Sequence, residues 1–249
     1  MGMVKLMTNR AHQIEELFKG STRISKQQLR KVKYDLAYNP ESYQIQQLSQ
    51  WLTLDLSTQL NDGERSAREK LRQWNLSTHK DNPLAALAVL TMAPIQKAQG
   101  KVVEANEITS AFKQAVAQLI EYHGQVDVAY GNVMRIIHGD KNLPISGGPD
   151  TMRAVYGQTL NDDGQAMNIA GDGFMMFVAW GPEGLVASDA IHQFGSATLD
   201  KSSPHYNDQM DMFANHQERK VLFKRDDLET HIERIYQPGR NISSATAQR

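Results

Sequence analysis

Apolar residues recur at helical spacing through the first half of the chain. Such spacing places them on one face of an α-helix and predicts a helix that buries this face. The successive sets are Ile14, Leu17 and Phe18; Leu29, Val32 and Leu36; Ile45, Leu48, Trp51 and Leu52; Leu71 and Trp74; residues 84–90; and Ile108, Phe112, Ala115, Val116 and Leu119. Residues 8–138 are therefore predicted to be mainly helical.

Several of these sets are flanked by residues that begin or end helices. Thr8 is a candidate N-cap, and Ser25 with Gln28 has the spacing of a capping box. Asn82 followed by Pro83 has the form of a cap and a first helical residue. Gly124 is suited to the position after the last helical turn.

The pattern changes near Gly139, and residues 139–239 are predicted to be rich in strands. Residues 174–180 and 185–191 are apolar runs of strand length, separated by a turn with Gly181 and Gly184. Their continuous hydrophobicity predicts that both faces of this hairpin are covered. Asp226 or Asp227 is expected to cap a last helix with Leu228, Ile232 and Ile235 on one side. The polar tail, residues 240–249, is predicted to be disordered.

Composition excludes several classes of protein. The 249 residues include 27 Lys and Arg against 28 Asp and Glu, so the chain lacks the basic excess that favours nucleic-acid binding. No stretch approaches the ~20 apolar residues of a membrane span. The absence of Cys excludes disulfides, thiolate zinc sites and a Cys nucleophile. The eight His residues show no recognisable metal-binding spacing, and no signal peptide opens the chain, so it is expected to be cytoplasmic if expressed as written.

Three groups of residues are candidates for chemistry. Ser77 with Lys80, and Ser110 with Lys113, match the loose Ser-x-x-Lys pattern of penicillin-binding enzymes, but the accompanying Lys-Thr-Gly is absent. We favour chance for both, and the Ser77/Lys80 reading stays as an alternative. His205 and Asp208 could act as a base and its orienting group, although a structural corner is favoured.

Arg10 is the third candidate. It would lie in the first turn of a helix, where the dipole disfavours a cation. If it were buried, it would need carbonyl or carboxylate partners.

An ordered set of segments resembles the penicillin amidase family, which includes the acyl-homoserine lactone acylases. The set covers roughly residues 7–239. Its members are MTNR at 7–10, ISGGPDTMRAVYG at 145–157, AGDGF at 170–174, IHQFGSAT at 191–198 and SPHYNDQ at 203–209.

The resemblance implies an α+β fold that forms part of an N-terminal-nucleophile hydrolase sandwich with α-β-β-α layers. It implies that a Ser at the N-terminus of the β-chain attacks a linear amide, with its own α-amine as base. The matching segments correspond to the C-terminal part of that β-chain. The nucleophile, the oxyanion-hole residue and any calcium ligands are then expected upstream. Arg10 is the one catalytic-site residue that the resemblance assigns to this chain, and no cofactor is expected from it.

We therefore expect residues 1–239 to be the C-terminal portion of an amidohydrolase that acts on an N-acylated small molecule such as a β-lactam or an acyl-homoserine lactone. It would be inactive without an upstream chain that carries the N-terminal Ser. The complete family enzyme is expected in the periplasm, with no nucleic-acid or membrane partner. The alternative is a non-catalytic interaction protein derived from the same fold.

Overall fold

The computed structural model describes residues 7–232 and has an α+β fold. The expected fold class is confirmed, because helices dominate the first half and strands the second. The helices are α1 Asn9–Phe18, α2 Lys26–Lys33, α3 Tyr43–Thr53, α4 Asp62–Leu71, α5 Ala85–Thr91, α6 Ala93–Lys97, α7 Ala105–His123, α8 Tyr130–Val133, α9 Met210–Ala214 and α10 Arg225–Glu229. The strands are β1 Met134–His138, β2 Lys141–Pro144, β3 Val155–Gly157, β4 Ala166–Gly171, β5 Phe174–Gly181, β6 Gly184–His192 and β7 Arg219–Lys220.

The described residues form two compact units. The first contains residues 7–175 and Ile191–Gln217, and the second contains Met176–Ala190 and residues 218–232. Across residues 7–232, no helix has both the length and the apolar character needed to cross a membrane. The predicted tail, residues 240–249, lies outside the described residues, as does Ile235.

The core of the first unit is built around α7. Phe112 and Leu119 on this helix are fully buried, and the Trp51 ring of α3 packs with its centroid 5.1 Å from that of Phe112. The indole nitrogen of Trp51 donates to Thr109 Oγ1 at 2.9 Å, so the one polar atom of this ring is paired. Truncation of such a buried aromatic residue typically costs about 3–5 kcal/mol of stability.

The predicted signals at the helix ends have mixed outcomes. Thr8 accepts from the amide of Ala11, Ser25 forms the capping box with Gln28, and Gly124 has a left-handed backbone with φ +73°, as expected. The helix expected to start at Pro83 instead begins at Ala85, because Asn82 uses its side chain to accept from the amide of Leu84 in a turn. The last described helix follows Lys224, so neither predicted Asp caps it.

A four-stranded sheet in the first unit has the order β2-β1-β4-β3. β1 pairs antiparallel with β2 and parallel with β4, and β3 pairs antiparallel with β4. β1 begins at Met134, so strand structure starts before Gly139, where the sequence analysis placed the change. The chain between β2 and β3 forms the loop at 147–151 that carries part of the candidate site.

A three-stranded sheet, with the order β5-β6-β7, accounts for the strands of the second unit. β5 and β6 form the expected hairpin, and β6 pairs antiparallel with β7. The prediction that both faces of this hairpin are covered was wrong for the residues that the structure describes. Met176, Val178 and Trp180 alternate along one face of β5 and are 48%, 42% and 72% exposed, because no described residue covers that face.

Candidate functional site

Arg10 lies in the first turn of α1 and pairs with a carboxylate from a distant loop. Its Nε donates to Asp150 Oδ1 at 3.1 Å, across 140 residues of sequence. The Arg10 side chain is 47% exposed, whereas that of Asp150 is 11% exposed. Asp150 thereby supplies the negative charge that offsets an unfavourable cation at a helix N-terminus.

The second carboxylate oxygen of Asp150 fixes two further elements. Asp150 Oδ2 accepts from the backbone amide of Asn9 at 2.8 Å and from Nε2 of Gln44 in α3 at 2.9 Å. The amide of Asn9 is one of the donors that a helix leaves unpaired at its start, so the carboxylate serves as an external cap for α1. Asp150 itself has φ +62°, a left-handed conformation in which Asp is more common than most residues.

Asn9 is fully buried and ties the start of α1 to two segments. Its Nδ2 donates to the carbonyl of Asp150 at 3.0 Å and to that of Ala37 at 3.2 Å, while its Oδ1 accepts from the amide of Asn39 at 2.7 Å. These contacts fix the backbone from which Arg10 projects. Sequence reasoning missed Asn9, although a polar residue directly after a helix cap was the available signal.

The Arg10 guanidinium has hydrogen-bonding capacity that the described residues leave unused. Asp150 Oδ1 is the one hydrogen-bond acceptor that the described residues offer to this side chain, and it engages only Nε. The two terminal nitrogens therefore remain available as donors on a charged, planar group. This geometry suits a residue that is held at its stem and presents positive charge to a second group.

A second charged cluster in the first unit is more deeply buried. Asp172 Oδ2 accepts from Lys33 Nζ at 2.6 Å and from Arg153 NH1 at 2.9 Å. The Arg153 side chain is fully buried, and its guanidinium lies 4.0 Å above the centre of the Phe213 ring. Burial is the main cause that lowers the pKa of Lys33 and of Arg153. Asp172 belongs to the AGDGF segment at 170–174, and its side chain holds these two cations together.

The Ser-x-x-Lys candidates do not form nucleophile–base pairs in the described chain. Lys80 Nζ donates to Asn215 Oδ1 at 3.2 Å, and Ser77 Oγ accepts from the amide of His79. Lys113 Nζ instead reaches the carbonyl of Gln59.

His205 and Asp208 do approach each other, with Nδ1 and Oδ2 3.1 Å apart. The carbonyl of His205 also accepts from the amide of Ala197 at 3.0 Å, which fits a structural corner. No group of three or more His, Asp or Glu side chains that could hold a metal ion occurs within residues 7–232.

Comparison with known proteins identifies one family and a number of similar solved structures. The model of the penicillin amidase family matches residues 5–230. None of the curated proteins matches the chain. Among solved structures, the chain is similar to a thermostable penicillin G acylase from Alcaligenes faecalis, with 13% sequence identity and a TM-score of 0.44. The match covers 92% of this chain and 52% of that one, so the chain spans about half the length of the acylase.

Proposed function

The chain belongs to the penicillin amidase family of hydrolytic amidases, and from this premise we propose that it forms the arginine-bearing side of an acylase active site. The observation that carries the proposal is the half-exposed side chain of Arg10, which Asp150 holds at Nε while the terminal nitrogens have no acceptor among the described residues. In this proposal, residues 1–239 act as the C-terminal portion of the enzyme.

The proposed reaction is hydrolysis of a linear amide. A Ser at the N-terminus of an upstream segment attacks the carbonyl carbon, and its α-amine accepts the hydroxyl proton. The tetrahedral intermediate collapses as the amine leaves with a proton, and water then releases the acyl group from the Ser. The substrate class that we propose is an N-acylated small molecule, such as a β-lactam or an acyl-homoserine lactone.

Arg10 contributes electrostatics in this scheme. Positive charge that is already oriented near a developing oxyanion stabilises the transition state more than the ground state. The buried hydrogen bonds of Asn9 and the carboxylate of Asp150 keep the guanidinium in place, so little reorganisation is needed when the charge develops. Arg10 therefore orients groups around the nucleophile and favours charge formation.

A metal has no assigned step here. Any calcium ligands of the complete family enzyme are expected upstream, and residues 7–232 contain no group of three or more acidic or His side chains that could hold such an ion. We propose that the complete enzyme acts in the periplasm.

Co-expression of the chain with the polypeptide encoded immediately upstream tests the proposal. We expect the purified complex to hydrolyse nitroanilides that carry phenylacetyl, hexanoyl or decanoyl groups, with release of nitroaniline followed by absorbance. Arg10→Ala should lower kcat/KM by about 10²-fold, the magnitude typical for loss of one oxyanion-stabilising group. Arg23→Ala is the matched control, because Arg23 is an exposed arginine outside the site.

Two outcomes would contradict the proposal. A complex in which Arg10→Ala keeps kcat/KM within twofold of the parent would remove the role of Arg10. A folded complex that turns over none of the anilides would instead support the non-catalytic interaction protein.

A further inference from the structure

A cavity of about 300 Å³ lies between the helices and the four-stranded sheet of the first unit. Ala93 and Gln96 of α6 and Ala111 and Ala115 of α7 form its helical wall, while Met134 of β1 contributes from the sheet. A cavity half this size is large enough to hold benzene. The space therefore matches a small organic molecule rather than a single water.

The wall is neutral and mainly apolar. Among the described residues that line the cavity, none has an ionisable side chain. Because a charged group is costly to remove from water without a paired charge, such a wall selects against ions. The chemistry of the wall therefore points to a neutral, largely apolar occupant.

One wall residue carries a buried polar atom that has no partner among the described residues. The amide nitrogen Nε2 of Gln96 is buried, and no residue within 7–232 accepts a hydrogen bond from it. A buried donor left without an acceptor is unfavourable, so an occupant with a carbonyl oxygen would gain by supplying one. The same wall includes Pro149, the residue before Asp150, so an occupant also contacts the loop that holds Arg10.

We propose that this cavity is a binding site for a compact, neutral, mainly apolar molecule that bears a carbonyl oxygen. Rotation of the Gln96 side-chain amide toward the cavity lets Nε2 donate to this carbonyl, and the apolar part packs between α7 and Met134. This site is separate from the Arg10 guanidinium, and the inference goes beyond the proposed acylase function. The inference holds if the chain binds such a molecule, even when the chain hydrolyses no amide.

Hexanamide is the probe, and hexanoate is its charged counterpart of equal length. The 249-residue chain is labelled with ¹³C at the Met methyl groups, and the Met134 signal is assigned from Met134→Leu. We expect hexanamide to shift the Met134 signal saturably, with a Kd on the order of 1 mM, which is reasonable for about eight non-hydrogen atoms. Hexanoate should bind at least about tenfold more weakly.

Two variants and one matched control locate the site. Ala111→Leu fills the cavity and should weaken binding about tenfold or more, whereas Ala117→Leu makes the same change on an exposed part of α7 and should leave the Kd unchanged. Gln96→Leu keeps the side-chain bulk but removes the donor, and should weaken hexanamide binding about fivefold. Thermal unfolding midpoints confirm that each variant is folded.

The proposal is overturned if hexanamide produces no saturable shift up to about 20 mM, a limit well above the expected Kd. It is equally overturned if Ala111→Leu and Ala117→Leu weaken binding alike. Equal binding of hexanoate would refute the neutral selectivity, and an unchanged Kd in Gln96→Leu would refute the assigned hydrogen bond.

Discussion

Asp150→Asn is the most informative single change at the candidate site. The substitution removes the charge but preserves the shape of the side chain, and Asn is among the residues that tolerate the observed φ of +62°. The backbone of the loop is therefore not strained by the change. Any loss of stability reports on the hydrogen bonds and the ion pair of this carboxylate.

The magnitude follows from the three donors that surround the carboxylate. The amide of Asn9 and Nε2 of Gln44 approach Oδ2 at 2.8 and 2.9 Å, and each such bond to a charged acceptor contributes about 1.5–3 kcal/mol. An Asn side chain has one acceptor oxygen, so its NH₂ group must face a donor on one side. The pair with Arg10 adds only about 0–1 kcal/mol, because Arg10 is half-exposed. We therefore expect the free energy of unfolding to fall by about 2–3 kcal/mol.

Urea unfolding, followed by the fluorescence of the three tryptophans, measures this change. Asp162→Asn is the matched control, because Asp162 is an exposed turn residue, and its change should stay within about 0.5 kcal/mol of the parent. If Asp150→Asn is as mild as Asp162→Asn, the carboxylate does not organise the start of α1 and the reasoning is wrong.

Three further changes test other parts of the chain. Burial, with Arg153 as the next cause, lowers the pKa of His216 from 6.5 to about 4, so between these pH values the unfolded chain binds the proton more readily than the folded chain. The free energy of unfolding should therefore fall by up to about 3 kcal/mol from pH 6.5 to pH 4, and urea unfolding of His216→Asn should not show this part of the pH dependence. A Cβ at Gly195 would lie 2.1 Å from the carbonyl oxygen of His205, so Gly195→Ala should lower the free energy of unfolding by more than about 2 kcal/mol. Gly173 has open space around it, so the free energy of unfolding of Gly173→Ala should stay within about 1 kcal/mol of the parent in the same assay. Trp180→Glu should leave the unfolding free energy within about 0.5 kcal/mol but reduce co-purification with the upstream polypeptide; undiminished recovery would show that this exposed face is not part of that interface.

Local features could be predicted from sequence because their signals lie within one helical turn. The Thr8 cap and the capping box of Ser25 and Gln28 each join residues three apart, and both are confirmed. The left-handed Gly124 is similarly local. A helix start is harder to predict where the same residue can cap a helix or stabilise a turn. At Asn82 the side chain stabilises a turn before α5.

The environment of Arg10 could be anticipated only in part. Its position in a first helical turn indicated the need for a carboxylate, but nothing near it in sequence identifies Asp150, which is 140 residues away. Asn9 has contacts at separations of 28, 30 and 141 residues, none of which leaves a periodic pattern. Long-range polar contacts of this kind depend on how whole elements pack.

The β5 face shows a different limit. A run of apolar residues specifies that both faces of a strand can be buried, but it does not specify that one polypeptide supplies both covers. Trp180 and Val178 are exposed in the described chain, although the strand and its turn were predicted correctly.

The link between Asn9 and Asp150 sets an order of events during synthesis. These residues are 141 positions apart, so the ribosome needs on the order of 10–30 s to make the loop after it has made the helix. Throughout that interval Asn9 and Arg10 lack the hydrogen-bond partners that Asp150 supplies in the folded chain. The hydrogen bonds that hold Arg10 and Asn9 to Asp150 can therefore form only after residue 150 has been synthesised.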